Sequence, residues 1–364
     1  MKQIAKKVFP SIGVLFFLFL PFAISSSVSH DSFLNLPAKT LEYLLEKRET
    51  YFKGGFGTNR IITILIVPGH DDEFSGAYFN GIREVEFNRE VAQKLYNYLS
   101  LEPGINPILA HEGNDYISFI KNVFVFNRPE IEKFIDTAVD NFKQTREDQS
   151  VVDSGFHNTA LPEVRYQLYG INWWANRSDI DLVIHIHFND YRDRPRNRAG
   201  EYDGFSIYVP GEHFQNYELS KKLGEAIFDE VKKIRPVSNL PYEENGIIEG
   251  HELIAVGSND SVRSGSILIE YGYMYEDLFQ DKTKKDITFD YLAYSTYVGI
   301  KNLLQEAPLP RTIPVTQITN NKTTRDNLVW QFERALEGKY PPSEKTLRDC
   351  PITGFFGECS RAVR

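Results

Sequence analysis

Ile61 to Val67, IITILIV, is an almost unbroken run of β-branched and apolar residues that stops at Pro68-Gly69. A strand with one wet face alternates apolar and polar residues. A continuous run implies burial on both faces, as in a parallel sheet flanked by helices. "DLVIHIHF" (Asp181 to Phe188) and "SILIEYGY" (Ser266 to Tyr273) have the same character. "INPILAH", "GFSIYV" and "ELIAVG" read as shorter strands. Between them lie helical patterns: "REVEFNREVAQKLYNYLSL", Glu130 to Thr145, "PEVRYQLYGINWWANRS", Tyr217 to Lys233 and Leu292 to Leu304. This alternation predicts an α/β fold, a three-layer αβα arrangement around a mostly parallel twisted sheet. In such sheets, sites form at the carboxyl ends of the strands.

Three segments deliver reactive side chains to that edge. His70 follows the first strand, His187 lies near the end of the second run, and Glu270 closes "SILIE". His185 and His187 are two apart, so they share one face of their strand, with His187 nearer its end. His30, His111, His157, His213 and His251 have no motif context; His251, just before a short apolar run, is the one to watch for substrate contact. There is no serine nucleophile elbow, phosphate loop, HExxH or CxxC pattern.

The N-terminus stands apart. Lys2, Lys6 and Lys7 precede the apolar run Val8 to Ile24, and small residues follow at Ser25 to Ser27. Residues 1–27 read as a secretory signal peptide. The run is short for a membrane span and holds Pro10 and Pro21, which favours a cleaved signal over an anchor. Either way the protein is expected to be exported, with membrane contact only if the segment stays uncleaved. Residues 28–59 read as a lead-in with a helix near Ala38 to Tyr51.

The chain has 41 Lys and Arg against 50 Asp and Glu, a formal charge of −9, which argues against a nucleic-acid partner. Its only cysteines, Cys350 and Cys359, are free to pair after export, but the main domain must stand on its own core.

The motifs resemble the amidase-3 type of N-acetylmuramoyl-L-alanine amidase, a zinc-dependent family that cleaves peptidoglycan. "ILIVPGH" matches the strand that ends in Pro-Gly-His, and Gly76-Ala77 follows it. "REVEFNREVA" matches the helix that opens with a ligand Glu, giving Glu84, Asn88 and Ala92. "DLVIHIHFN" matches the Ser-Ile-His-Ala-Asn strand with His187 and Asn189, and "ILIEYGY" the Glu-x-Gly-Phe strand with Glu270. The resemblance spans about Ile61 to Leu304. His185 stands where the family has Ser, Phe188 where it has a small residue, and "DDEF" where it is glycine-rich.

The resemblance implies a metal held by His70, Glu84 and His187, with Zn2+ as the cofactor and Glu270 as general base and acid. Glu86 and Glu90 compete with Glu84 but are expected to face solvent. For His185 two roles stay open, a hydrogen bond that orients the site or a structural one. The implied domain is 60–305, with an insertion at about 117–163 as a lid, regulatory helix, substrate surface or plain structural addition. Residues 306–324 read as a linker. Residues 325–364 resemble an incomplete peptidoglycan-binding module, with a plain helical tail as the alternative. The implied partner is peptidoglycan, the expected state a monomer. Alternatives are another zinc peptidase or carboxypeptidase acting on wall peptides, and a non-catalytic wall-binding protein.

Overall fold

The computed structural model describes residues 37–54, 61–145, 160–191, 193–195 and 198–305. The expected signal peptide, the linker, the C-terminal module and both cysteines lie outside the described residues.

Six strands form one sheet in the order β4-β1-β7-β10-β8-β9. They are β1 (Ile62–Pro68), β4 (Ile105–Leu109), β7 (Leu182–Asn189), β8 (Ser206–Val209), β9 (Ile247–Glu249) and β10 (Gly265–Tyr273). β4, β1, β7 and β10 run parallel, while β8 pairs antiparallel with β10 and parallel with β9. Two small hairpins, β2–β3 (Tyr78–Phe79 with Ile82–Arg83) and β5–β6 (His111–Glu112 with Asp115–Tyr116), follow β1 and β4.

Both faces of the sheet are covered, which is why the central strands lack polar alternation. On one face Ile62, Ile64 and Ile66, Leu182, Ile184 and Ile186, and Ile267 and Ile269 join a large core. That core includes α2 (Glu84–Leu99), α6 (Tyr217–Val231), the short α7 (Asp277–Gln280) and α8 (Lys282–Gln305). On the other face Leu65, Val67 and Val183 meet α3 (Ser118–Phe126), α4 (Arg128–Thr145) and α5 (Pro162–Arg177). Much of the segment expected as an insertion is therefore two helices that help to cover this face. The three-layer expectation holds.

Two departures have physical causes. "ELIAVG" is not a strand: Ile254–Val256 forms a 3-10 turn that Gly257, at φ 106°, ends. A short buried apolar run does not by itself separate strand from helical turn. The sheet edge is taken instead by β9, in a segment without strong β patterning. Phe188 packs away from the strand ends against Phe87, Phe279 and Phe289, with ring centroids 5.0–5.3 Å apart. An aromatic ring there fills the core between α2 and α8.

α1 (Leu41–Gly54) is bolted to the amino-terminal edge of the sheet. Lys39 and Lys47 lie over Asp179 and the fully buried Asp181, at 2.6–3.4 Å. Asp181 also accepts the Thr63 amide at 2.8 Å.

Candidate metal centre and catalytic carboxylate

The carboxyl end of β1 turns sharply. The Gly69 amide donates to the Ile186 carbonyl at 2.8 Å, and His70 then adopts φ 68°. That conformation is uncommon for a residue with a Cβ. Asp71 holds the turn by accepting the Glu73 and Phe74 amides at 2.9 and 2.6 Å. The acidic "DDEF" stretch thus closes a local turn that suits the Asp carboxylate.

Glu84 opens α2, where the helix dipole favours negative charge. It is only 4% exposed. One carboxylate oxygen accepts the Ala77 amide at 2.9 Å and lies 3.1 Å from His70 Nε2. The other accepts Asn88 Nδ2 at 3.2 Å and the Phe188 amide at 3.3 Å, and lies 3.0 Å from His187 Nδ1. Asn88 also donates to the Gly69 carbonyl at 3.0 Å, tying α2 to the end of β1. Burial pushes the Glu84 carboxyl up, but His70 and His187 outweigh it and hold it well below the usual range. Burial disfavours protonation of His70, yet the Glu84 charge and hydrogen bond leave its pKa raised.

One ligand atom from each of His70, Glu84 and His187 lies within 4.8 Å of the others. This is a geometry able to hold a metal ion. Two glycines make room for it. A Cβ on Gly69 would come within 2.1 Å of the His187 ring, and one on Gly76 within 2.4 Å of the Glu84 carboxylate. Glu86 and Glu90 do not compete, because they pair with Arg83 and Lys285.

Glu270 stands beside this group. It is the register partner of His187 across the parallel β7–β10 pair, so both side chains leave the same face. Among the described residues it enters no ion pair, and its Oε2 is buried without a hydrogen-bond partner. Burial, then the charges of Glu84 and Glu243, raises its pKa well above the ordinary value.

His185 sits one pleat below, 1% exposed. Its ring bonds the Ala255 carbonyl, and burial together with the neighbouring His187 holds its pKa at about 3. It supports the 3-10 turn rather than a ligand. His251 stacks on His213, with centroids 5.1 Å apart and planes 3° from parallel.

Glu243 was not singled out from the sequence. Fully buried, it accepts Tyr208 Oη at 2.6 Å, Ser238 Oγ at 2.5 Å, Asn189 Nδ2 at 3.2 Å and Tyr273 Oη at 3.3 Å. It sits in the polar loop "PYEENG", whose pattern announces only a turn. Three of its four partners come from three different strands, so no local signal reveals it.

The sequence model of the N-acetylmuramoyl-L-alanine amidases matches residues 64–302. Two Buchnera aphidicola proteins carrying that assignment are similar. The one from subsp. Schizaphis graminum is 22% identical over 261 residues, covering 66% of this chain and 96% of its own. The one from subsp. Acyrthosiphon pisum is 25% identical over 250 residues, covering 66% and 94%. Among solved structures, the N-acetylmuramoyl-L-alanine amidase from Clostridium difficile 630 is 19% identical with a TM-score of 0.42, covering 68% of this chain and 99% of that one. The catalytic domain of CwlV from Bacillus (Paenibacillus) polymyxa var. colistinus is 14% identical with a TM-score of 0.41, covering 67% and 98%. With the match running from β1 into α8, through every segment that builds the site, the chain belongs to the N-acetylmuramoyl-L-alanine amidase family.

Proposed function

We propose that the chain is a secreted zinc hydrolase that cuts the amide bond between the lactyl group of N-acetylmuramic acid and L-alanine in peptidoglycan, remodelling or lysing the wall. His70, Glu84 and His187 are the proposed ligands, and Glu270 the proposed general base and acid. Two imidazoles and a carboxylate suit zinc and leave a fourth tetrahedral position open. Among the described residues Glu84 has only the two histidines as ion-pair partners, so a cation there would answer a buried charge. When bound, zinc supplies Lewis acidity that polarises a carbonyl and makes water a stronger acid.

The observation that carries the reading is the adjacency of Glu270 and His187 on one face at the strand ends. From there Glu270 takes a proton from the attacking water and delivers it to the leaving nitrogen. Its raised proton affinity suits both halves of that transfer. Asn88 and the Ala77 amide keep the Glu84 carboxylate oriented. A binding protein would need neither carboxylate in this arrangement.

Export is supported by the basic and apolar N-terminal residues and by the family's wall substrate. Among the described residues no helix is long and apolar enough to cross a membrane.

The test is incubation of purified protein with intact peptidoglycan, with and without a chelator, followed by mass analysis. Free stem peptides with an L-alanine amino terminus are expected, lost on chelation and restored by zinc. Shortened stem peptides alone would instead identify a peptidase.

A further inference from the structure

Beyond Glu270 the sheet continues into β8, which supplies none of the proposed ligands. Ser206 of β8 is the register partner of Glu270, and Tyr208, two residues on, leaves the same face. The Tyr208 hydroxyl donates to Glu243 at 2.6 Å. Tyr242, the residue before Glu243, is 65% exposed, and its hydroxyl bonds that of Tyr208. The Glu270 charge bears on both phenols, so both stand near it. A single exposed ring needs no explanation in itself. This one is set apart by its support. The Glu243 amide donates to the Leu240 carbonyl at 2.7 Å, the Gly246 amide to the Glu243 carbonyl at 2.8 Å, and the Leu240 amide to Ser238 Oγ at 3.3 Å. The buried Glu243 carboxylate then ties that turn to the ends of β7 and β10 through Asn189 and Tyr273.

The strand order gives this wall a meaning. β1 and β7, which carry His70 and His187, lie on one side of β10, and β8 lies on the other. The amide carbonyl belongs with the His70, Glu84 and His187 group, while Glu270 must come within hydrogen-bond reach of the leaving nitrogen. The cut bond therefore points from β7 towards β10, and the chain beyond its nitrogen runs on over β8. We infer that Tyr242, held against Tyr208, walls a subsite for the leaving stem peptide, with the lactyl group and sugar on the β1 side. The inference rests on the amidase reading and gives its substrate a direction. A tyrosine offers such a peptide an apolar face and a hydroxyl at little conformational cost.

The test compares N-acetylmuramoyl-L-alanine with the N-acetylmuramoyl form of L-alanyl-γ-D-glutamyl-L-lysine, and measures binding of the free tripeptide by calorimetry. The unaltered protein should cut the longer substrate with the higher kcat/KM and bind the free tripeptide. In Tyr242→Ala that preference should shrink about fivefold to tenfold, chiefly through KM, and tripeptide affinity should fall by a similar factor. Tyr242→Phe should keep most of both. No preference in the unaltered protein overturns the subsite and leaves the amidase reading standing. So does a Tyr242→Ala variant that keeps preference and affinity, or one that changes instead the ratio between monosaccharide and disaccharide forms of one substrate. Failure of the unaltered protein to cut either substrate at the lactyl–alanine bond overturns the amidase reading, and the subsite with it.

Discussion

Glu270 on β10 is the register partner of His187 on β7, and Leu268 is the partner of His185 two residues below. One ladder therefore carries the proposed catalytic pair at its carboxyl end and a packing layer beneath it. The consequences differ layer by layer.

Glu270→Gln keeps the shape of the side chain and removes its basicity. Turnover should fall on the order of 10²–10⁴-fold, the range typical of a lost general acid–base group. Metal content, read by elemental analysis of the same sample, should stay near that of the parent protein. Loss of zinc would move Glu270 into the ligand set.

The two histidines of β7 should separate cleanly. His187→Ala is expected to abolish stoichiometric zinc binding. His185→Ser should keep the metal and most activity, while the lost packing and the freed Ala255 carbonyl cost about 1–3 kcal/mol of stability. Parallel zinc analysis and urea unfolding of both variants would expose any reversal of roles.

Gly69 touches no substrate in this reading, yet it should matter. With a Cβ only 2.1 Å from the His187 ring, Gly69→Ala forces the imidazole to move. Zinc affinity should drop about 10–100-fold, the scale seen when the support of a ligand is disturbed. A competition titration against a chromophoric chelator measures it, and unchanged affinity would mean that the ring relocates freely.

The pH dependence of stability should carry a mark of His111. Its ordinary pKa is 6.5, and burial holds it at about 4 in the fold. In the unfolded chain it gains a proton as pH falls through about 6.5, so the unfolded state binds more protons in that window. Its contribution is whole above pH 6.5 and is lost as pH falls towards 4, by up to about 3 kcal/mol. His111→Phe preserves the edge-on contact with Tyr116, whose ring centre lies 4.5 Å away, and removes the titration. Urea unfolding at about pH 4.5 and pH 7 should show a smaller loss in the variant; equal losses would refute the assignment.

The buried strands and amphipathic helices were legible because burial on two faces and helical periodicity leave local traces. His70, His187 and Glu270 stand out at strand ends and Glu84 through the family motif, and the fold brings ligand atoms of His70, Glu84 and His187 within 4.8 Å of one another. The chain was least legible where structure depends on distant partners. Ile247–Glu249 becomes a strand only because β8 offers it an edge, and "ELIAVG" curls because Ala255 sits beneath His185 and Ser266. Glu243 gathers donors from β7, β8 and β10 that no spacing rule connects. Asn80-Gly81, between β2 and β3, did hold a readable turn signal, since both residues take positive φ.

The clamp formed by Lys39, Lys47, Asp179 and Asp181 has a mechanical meaning. α1 joins the sheet at the amino-terminal end of β7, and Arg48 of α1 reaches the Leu304 carbonyl at the far end of α8. α8 has 24 residues, about 36 Å of helix between the strand ends that bear the site and this pole. The chain thus enters and leaves the domain at its back. A pull transmitted through either connection is borne by α1 and α8, and the mouth of the enzyme turns towards whatever lies in front of it.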